Sequence, residues 1–143
     1  MTEHDARDPR IDIAERLFAA WSIGDVDAPE AFFHPDAVLR DIVGGEHTGW
    51  PAIRAFFAQG LKRWPDLRLV PAEYWTNDDG VALRWTMSAT VPDATTFGEA
   101  AMGKTWTSEG MTYLVFEDGL VRLEVDYHDS AAAPKSLGLG HNR

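Results

Sequence analysis

The chain has 143 residues, 45% of them hydrophobic and 11% aromatic, which fits one domain with a continuous core. Its 23 acidic and 13 basic residues give a formal net charge of −10, which would repel nucleic-acid phosphates and anionic membranes. The lack of cysteine excludes disulfides, thiolate nucleophiles and thiolate metal sites. The acidic N-terminus is not a secretory signal, and no apolar run could span a bilayer. We therefore expect a cytoplasmic protein with neither a nucleic-acid nor a membrane partner.

The first third of the chain carries two helix signals. Asp8 and Pro9 suit a helix start, and one apolar face extends from Ile13 to Trp21 before Gly24 ends the helix. A second, short helix is predicted after Asp27, which would cap it. The segment His34-Pro35-Asp36 would close that helix.

A short strand and a third helix follow. Residues 37–41 predict the strand, and residues 43–46 predict a turn after it. The helix is predicted from Trp50-Pro51 to Trp64-Pro65.

Four strands are predicted in the remaining chain. They lie at about residues 67–75, 81–90, 105–116 and 120–128. Helices followed by an antiparallel meander indicate an α+β domain, with the helices on one face of a curved sheet. We place this domain at residues 11–130, with a polar tail at 1–10 and a tail or flap at 131–143.

Two of these strands alternate polar and apolar residues. Arg84, Thr86 and Ser88 share one face, opposite Val81, Leu83, Trp85 and Met87, and the last strand carries Glu124, Asp126 and His128 on one face. Polar faces of such strands usually meet solvent. If both rows line one cavity instead, a guanidinium, two carboxylates and an imidazole converge, as proton transfer requires.

Several short segments occur along the chain in a characteristic order. They are Gly24-Asp25-Val26-Asp27, Pro35-Asp36-Ala37, Gly49 with Ala52-Ile53-Arg54-Ala55-Phe56-Phe57, Trp64-Pro65-Asp66-Leu67, Val81-Ala82-Leu83-Arg84-Trp85, Gly103-Lys104 and Phe116-Glu117-Asp118-Gly119. Their order and spacing resemble the nuclear transport factor 2-like superfamily, and within it the SnoaL-like polyketide cyclases. The resemblance implies an α+β, cystatin-like fold, in which a cone-shaped, curved mixed or antiparallel sheet wraps around a pocket closed by N-terminal helices. It also implies that both polar rows face that pocket.

Three enzyme types with this fold offer different roles for these residues. Asp41-Ile42-Val43-Gly44 resembles the segment that carries the base of ketosteroid isomerases, but Leu17 and Thr112 stand where those enzymes hold their electrophilic Tyr and Asp. Asp126-Tyr127 with Asp129 resembles a stretch of limonene-type epoxide hydrolases, with Arg84 as the bridging Arg and Thr86 in place of the acid. In SnoaL-like cyclases, an Asp on the last strand is the acid and base of an intramolecular aldol closure, and Asp126 matches it.

The sequence therefore predicts a cofactor-free acid/base enzyme for a small, largely apolar carbonyl compound. The alternatives are a limonene-type epoxide hydrolase and a non-catalytic small-ligand-binding or protein-association module. The expected catalytic residues are Asp126, Asp41, Arg84 and His128, and the expected substrate-binding residues are Trp21, Thr86, Ser88, Thr112 and Glu124. No metal is expected, because His34, His47 and His141 lack ligand spacing. We also expect a homodimer, with Trp85 and Met87 as candidates for its interface.

Overall fold

The computed structural model describes residues 7–139. Its helices are α1 (Pro9–Trp21), α2 (Trp50–Arg63) and α3 (Ala132–Ser136), and short 3-10 helices lie at Ala28–Phe32 and Glu99–Ala101. Its strands are β1 (Phe33–Asp41), β2 (Gly45–Thr48), β3 (Arg68–Thr76), β4 (Gly80–Thr90), β5 (Thr105–Glu117) and β6 (Leu120–His128). The predicted α+β fold is confirmed.

All six strands form one curved mixed sheet in the order β2-β1-β6-β5-β4-β3. β1 pairs with β6 in parallel, and the other neighbouring strands are antiparallel. α1 and α2 cover one face of the sheet, and the core lies between them and that face. Its most buried side chains include Leu17 and Phe18 of α1, Ile53 of α2, and Leu83 and Leu114 of the sheet.

Helix α1 begins where its capping residues predict, and it ends at Trp21, slightly before the predicted end at Gly24. The Asp8 carboxylate accepts a hydrogen bond from the Arg10 amide at 2.9 Å, and Pro9 occupies the first helical position. At the other end, the Ser22 hydroxyl donates to the Phe18 carbonyl at 2.9 Å and accepts from the Leu69 amide at 2.9 Å. This hydroxyl therefore joins the end of the helix to β3.

The second predicted helix is only a 3-10 turn, and β1 begins earlier than expected. Asp27 forms no capping hydrogen bond, because its carboxylate pairs with Arg54 of α2 at 2.6 Å. Pro35 lies inside β1, where the register with β6 shifts between Phe33 and Val38. Such an irregularity accommodates a residue that has no amide hydrogen to donate.

Two short segments have more structure than the sequence suggested. Gly45 to Thr48, predicted partly as a turn, forms β2 and pairs with β1. Near the C-terminus, the Thr107 amide of β5 donates to the Ser136 hydroxyl of α3 at 3.0 Å, and Leu137 and Leu139 pack against the core. The remainder of the predicted C-terminal segment, 140–143, lies outside the described residues, as do residues 1–6 of the predicted N-terminal tail.

No helix within residues 7–139 is long and apolar enough to cross a membrane.

Gly110 of β5 lies directly under the Trp85 indole. A Cβ at this position would be 2.5 Å from Trp85 Cζ2 and 2.7 Å from the Tyr127 carbonyl oxygen. We predict that Gly110→Ala lowers the free energy of unfolding by about 1–3 kcal/mol, because the indole or β6 must move. Urea denaturation followed by circular dichroism measures the change.

Gly60→Ala in α2 is the matched control, because nothing lies within 4 Å of its added Cβ. Alanine should stabilise this helix by roughly 0.5–1 kcal/mol. If Gly110→Ala unfolded at the wild-type urea concentration or above it, the packing of Trp85 against Gly110 would be wrong.

Candidate active site

A cavity of about 430 Å³ lies between the two long helices and the sheet, within the size range of small-molecule sites. Its wall is mainly apolar and aromatic. These wall residues are Phe18, Trp21, Leu39, Phe56, Phe57, Trp64, Leu67, Leu69, Trp85, Met87 and Trp106. A compact polar group on three neighbouring strands also lines the cavity: Asp41, Thr112, Glu124, Asp126 and His128.

Strand register brings this polar group together. Glu124, Asp126 and His128 alternate along β6 and therefore point to the same face, which confirms the predicted orientation of this row. Asp41 of β1 pairs with Asp126 on one side, and Thr112 of β5 pairs with it on the other. Asp126 is therefore the centre of the group.

Asp126 accepts a hydrogen bond whose direction is fixed by Trp85. The Trp85 indole Nε1 donates to Thr112 Oγ1 at 2.8 Å, and the Thr112 hydroxyl donates to Asp126 Oδ1 at 2.6 Å. An indole N–H can only donate, so the hydroxyl proton is left for Asp126. Burial raises the pKa of Asp126 to about 6, even though hydrogen bonds with Glu124 and Thr112 favour its charged form.

Glu124 is the most deeply buried carboxyl group of the site, with 3% of the residue exposed. Burial raises its pKa well above the ordinary value, and the nearby charge of Asp126 and a side-chain hydrogen bond with it act in the same direction. Glu124 is therefore the neutral partner of the pair, and Asp126 is the member that ionises near neutral pH. Within residues 7–139, Glu124 Oε1 has no hydrogen-bond partner.

Asp41 and His128 form an ion pair beside these two carboxyl groups. His128 Nε2 lies 3.0 Å from Asp41 Oδ1 and 3.2 Å from Oδ2. Burial opposes the charge on Asp41, but the hydrogen bond from His128 and the amides of Gly44 and Val43 lower its pKa overall. The same bond raises the pKa of His128 despite burial. Because Asp41 is held as an anion by these donors, it is a weaker base than Asp126.

The predicted orientation of β4 is wrong. Arg84 points away from the cavity, where its Nε lies 2.9 Å from Glu73 Oε1 and its Nη1 lies 3.3 Å from Glu109 Oε1. Thr86 and Ser88 share the Arg84 face and are not among the cavity-lining residues. β4 thus follows the ordinary rule, with its apolar row turned toward the helices and its polar row turned away.

Trp85 and Met87 line the cavity, so their proposed place in a dimer interface is also wrong. The homodimer itself stays a prediction. The sequence did not predict the role of Trp85 in the site, which is to orient the Thr112 hydroxyl through its indole N–H. Gly110 directly opposite it in β5 was an available signal, since a glycine within a strand often marks a close approach.

Trp21 and Thr112 do line the cavity as predicted. Trp21 Nε1 is buried and has no hydrogen-bond partner within residues 7–139. In the same part of the chain, no group of three or more His, Asp or Glu side chains is arranged to hold a metal ion.

The family model described as the SnoaL-like domain matches residues 14–124. The chain belongs to the SnoaL-like domain family. This match begins within α1 and ends at Glu124, so it spans both long helices and most of the sheet that form the cavity.

Solved structures share the fold of this SnoaL-like domain over nearly its whole length. AclR, a proposed hydroxylase from Streptomyces galilaeus, is 26% identical, with 91% of this chain and 96% of that chain covered and a TM-score of 0.75. A proposed polyketide cyclase from Acidithiobacillus ferrooxidans is 18% identical, with coverages of 96% and 98% and a TM-score of 0.81. IdmH, a proposed polyketide cyclase from Streptomyces antibioticus, is 17% identical, with coverages of 92% and 100% and a TM-score of 0.78.

The Thr112 hydroxyl should control the ionisation of Asp126 in this SnoaL-like domain. Thr112→Val removes a donor to the carboxylate, so we predict that the pKa of Asp126 rises above its value of about 6. The variant also leaves the Trp85 N–H unpaired, which should cost about 1–3 kcal/mol of stability. An NMR titration of the side-chain carboxyl carbons measures the shift.

Thr107→Val on the exposed face of β5 is the matched control and should leave the Asp126 titration unchanged. An unchanged Asp126 pKa in Thr112→Val would contradict the hydrogen bond inferred from the 2.6 Å distance.

Proposed function

We propose that this protein is a cofactor-free acid/base enzyme that acts on a small, largely apolar carbonyl compound, as a cyclase or isomerase. The observation that supports this most directly is Asp126, a buried carboxyl group whose pKa of about 6 suits a general base near neutral pH. The apolar cavity around it and the membership of the SnoaL-like domain family support the same class of reaction.

In the proposed reaction, Asp126 removes a proton from the carbon next to a substrate carbonyl. The C–H electron pair becomes the enolate, and the imidazolium of His128 stabilises the negative charge on its oxygen. Asp41 keeps His128 protonated through their 3.0 Å contact, and it is in this sense a positioning residue. Because the side chains of His128 and Asp41 are largely buried, their charges interact more strongly than they would in solution.

The second half of the reaction returns the proton. In a cyclisation, the enolate carbon forms a bond to a second carbonyl carbon of the same molecule, the π bond of that carbonyl breaks, and its oxygen takes the proton from Asp126. In an isomerisation, Asp126 gives the proton back at a different carbon. Both routes are balanced without an oxidant, a reductant or a hydrolytic water.

The orientation of Arg84 weakens the epoxide-hydrolase alternative. That chemistry needs a guanidinium between the water-activating carboxylate and the acid, whereas Arg84 is paired with Glu73 and Glu109 on the opposite face of the sheet. No other observation favours it. The non-catalytic binding module differs from our proposal in a measurable way, since it requires binding without proton transfer.

Asp126→Asn tests the proposed base. Deuterium exchange at the acidic carbon of β-tetralone, followed by proton NMR, reports enolisation directly and does not require the natural substrate. We predict that wild-type protein accelerates this exchange and that Asp126→Asn lowers the acceleration by about a hundredfold or more, because an amide cannot accept the proton.

Asp79→Asn, at an exposed turn position, is the matched control and should exchange like the wild type. Arg84→Ala should do the same, because its guanidinium lies outside the cavity. Exchange at the wild-type rate in Asp126→Asn would rule out this base, and binding of the ketone with no exchange in any variant would favour the binding module.

The pH dependence of exchange should have two limbs. Because Asp126 must be deprotonated, the rate should rise with pH through about 6. Because His128 must be protonated, the rate should fall again at a pH above 6.5, the ordinary imidazole value from which its pKa is raised. Rates of β-tetralone exchange across buffers of equal ionic strength measure the profile. A rate that climbs steadily with pH would show that His128 plays no acidic part.

A further inference from the structure

A second cavity, of about 260 Å³, lies beside the first. The two share part of their walls, namely Arg63, Trp64, Met87, Trp106 and His128. The second cavity is further enclosed by Thr96 and Phe97 of the β4–β5 connection, by Ser108, and by Asp129, Ser130 and Ala133 near α3. His128 lines both cavities, whereas its partner Asp41 lines only the larger one.

An aromatic stack forms one wall of this cavity. The Phe97 ring lies 5.7 Å from the Trp64 ring in a stacked arrangement, and Trp64 meets Trp106 edge to face at 5.2 Å. These contacts fix the position of the Trp106 indole, which has 2% of the residue exposed. The Trp106 side chain is therefore part of a packed wall.

Two residues that line this cavity carry a buried polar atom with no protein partner. Within residues 7–139, neither Trp106 Nε1 nor the Ser108 hydroxyl forms a hydrogen bond, although 5% or less of either residue is exposed. Buried polar groups in native proteins are nearly always paired, with protein, water or a ligand. The indole can only donate, and the hydroxyl can donate as well as accept.

Arg63 adds positive charge at the boundary between the two cavities. It forms no salt bridge with another side chain among residues 7–139, whereas most arginines there are ion-paired. Asp129 is the one carboxylate of the second cavity, and its Oδ1 accepts the Ala131 amide at 2.9 Å. Apart from the Asp129 carboxylate, the unpaired polar groups of the residues around this cavity are an indole N–H, a hydroxyl and a guanidinium, and all three can donate to an anionic acceptor.

We propose that the second cavity binds a carboxylate arm of the substrate. The carboxylate accepts hydrogen bonds from Trp106 Nε1 and the Ser108 hydroxyl, and it pairs with the guanidinium of Arg63. This inference rests on the proposed function, because it places the reacting carbonyl in the larger cavity near Asp126. The substrate class becomes a keto acid, with an apolar body and a short chain that passes His128.

Isothermal titration calorimetry with two matched ligands tests this site. β-Naphthoylpropionate is an aromatic ketone with a carboxylate arm, and β-naphthoylpropionamide has the same size and shape without the charge. We expect the wild type to bind the acid about tenfold more tightly than the amide, as charge-assisted hydrogen bonds would give. Arg63→Gln and Ser108→Ala should each reduce that ratio, and Trp106→Phe should reduce it by removing only the N–H donor.

Lys62→Gln is the matched control, because Lys62 neighbours Arg63 on α2 but lines neither cavity. It should keep the full preference for the acid. The test measures binding of the carboxylate and requires no proton transfer. The preference can therefore be found even if the deuterium-exchange experiment fails, and the two proposals are tested separately.

Equal affinities for the acid and the amide in the wild type would overturn the proposal, and so would failure of both ligands to bind. A preference for the acid that survives in Arg63→Gln, Ser108→Ala and Trp106→Phe would also overturn it, because the carboxylate would then be bound elsewhere.

Discussion

The hydrogen bond from Thr112 to Asp126 is the interaction on which the site depends. Its direction is imposed by Trp85, whose indole N–H can only donate. The hydroxyl therefore stabilises the charged form of a carboxyl group that burial alone would keep protonated. The indole reaches Thr112 by crossing over Gly110, where a side chain would collide with it. The absence of a Cβ at Gly110 thus lets the Trp85 indole reach Thr112, and the Thr112 hydroxyl then favours the charged form of Asp126.

The surroundings of the three carboxyl groups give each a different charge state in the same cavity. Asp41 is charged and paired with His128, while Glu124 is kept neutral by burial and by the neighbouring carboxyl groups. Asp126 alone is poised to gain or lose a proton near neutral pH. The pKa of Asp126 is raised from the ordinary 3.8 to about 6 in the folded state, so between these values the unfolded state is ionised while the folded state still holds the proton. The free energy of unfolding therefore decreases as the pH rises from 3.8 to about 6. The proposed base is therefore charged at a cost to the fold, which is common at active sites.

Local signals were sufficient to predict most of the elements but not the face of β4. Capping residues and apolar periodicity located α1 and α2, and alternation located β3 to β6 within about two residues, because these features depend on near neighbours. The outward direction of Arg84 depends on Glu73 and Glu109, which become its neighbours only after three strands have aligned. The shared face of Glu124, Asp126 and His128 could be predicted from alternation along β6. The contact of Trp85 with Thr112 could not, because it forms only when β4 and β5 are aligned.

The net charge of −10 makes local donors decisive for any anionic substrate. Long-range repulsion is screened over roughly 8 Å at physiological ionic strength, so it opposes the approach of an anion more than its bound state. Around the larger cavity, the Asp41–His128 pair is neutral overall and Glu124 is uncharged, so Asp126 is the ionisable carboxylate of this group that has no cation in direct contact. In the second cavity, a bound anion also meets the carboxylate of Asp129. A carboxylate held in the second cavity, which His128 also lines, would favour the imidazolium further and would thereby support the acid that the proposed reaction requires.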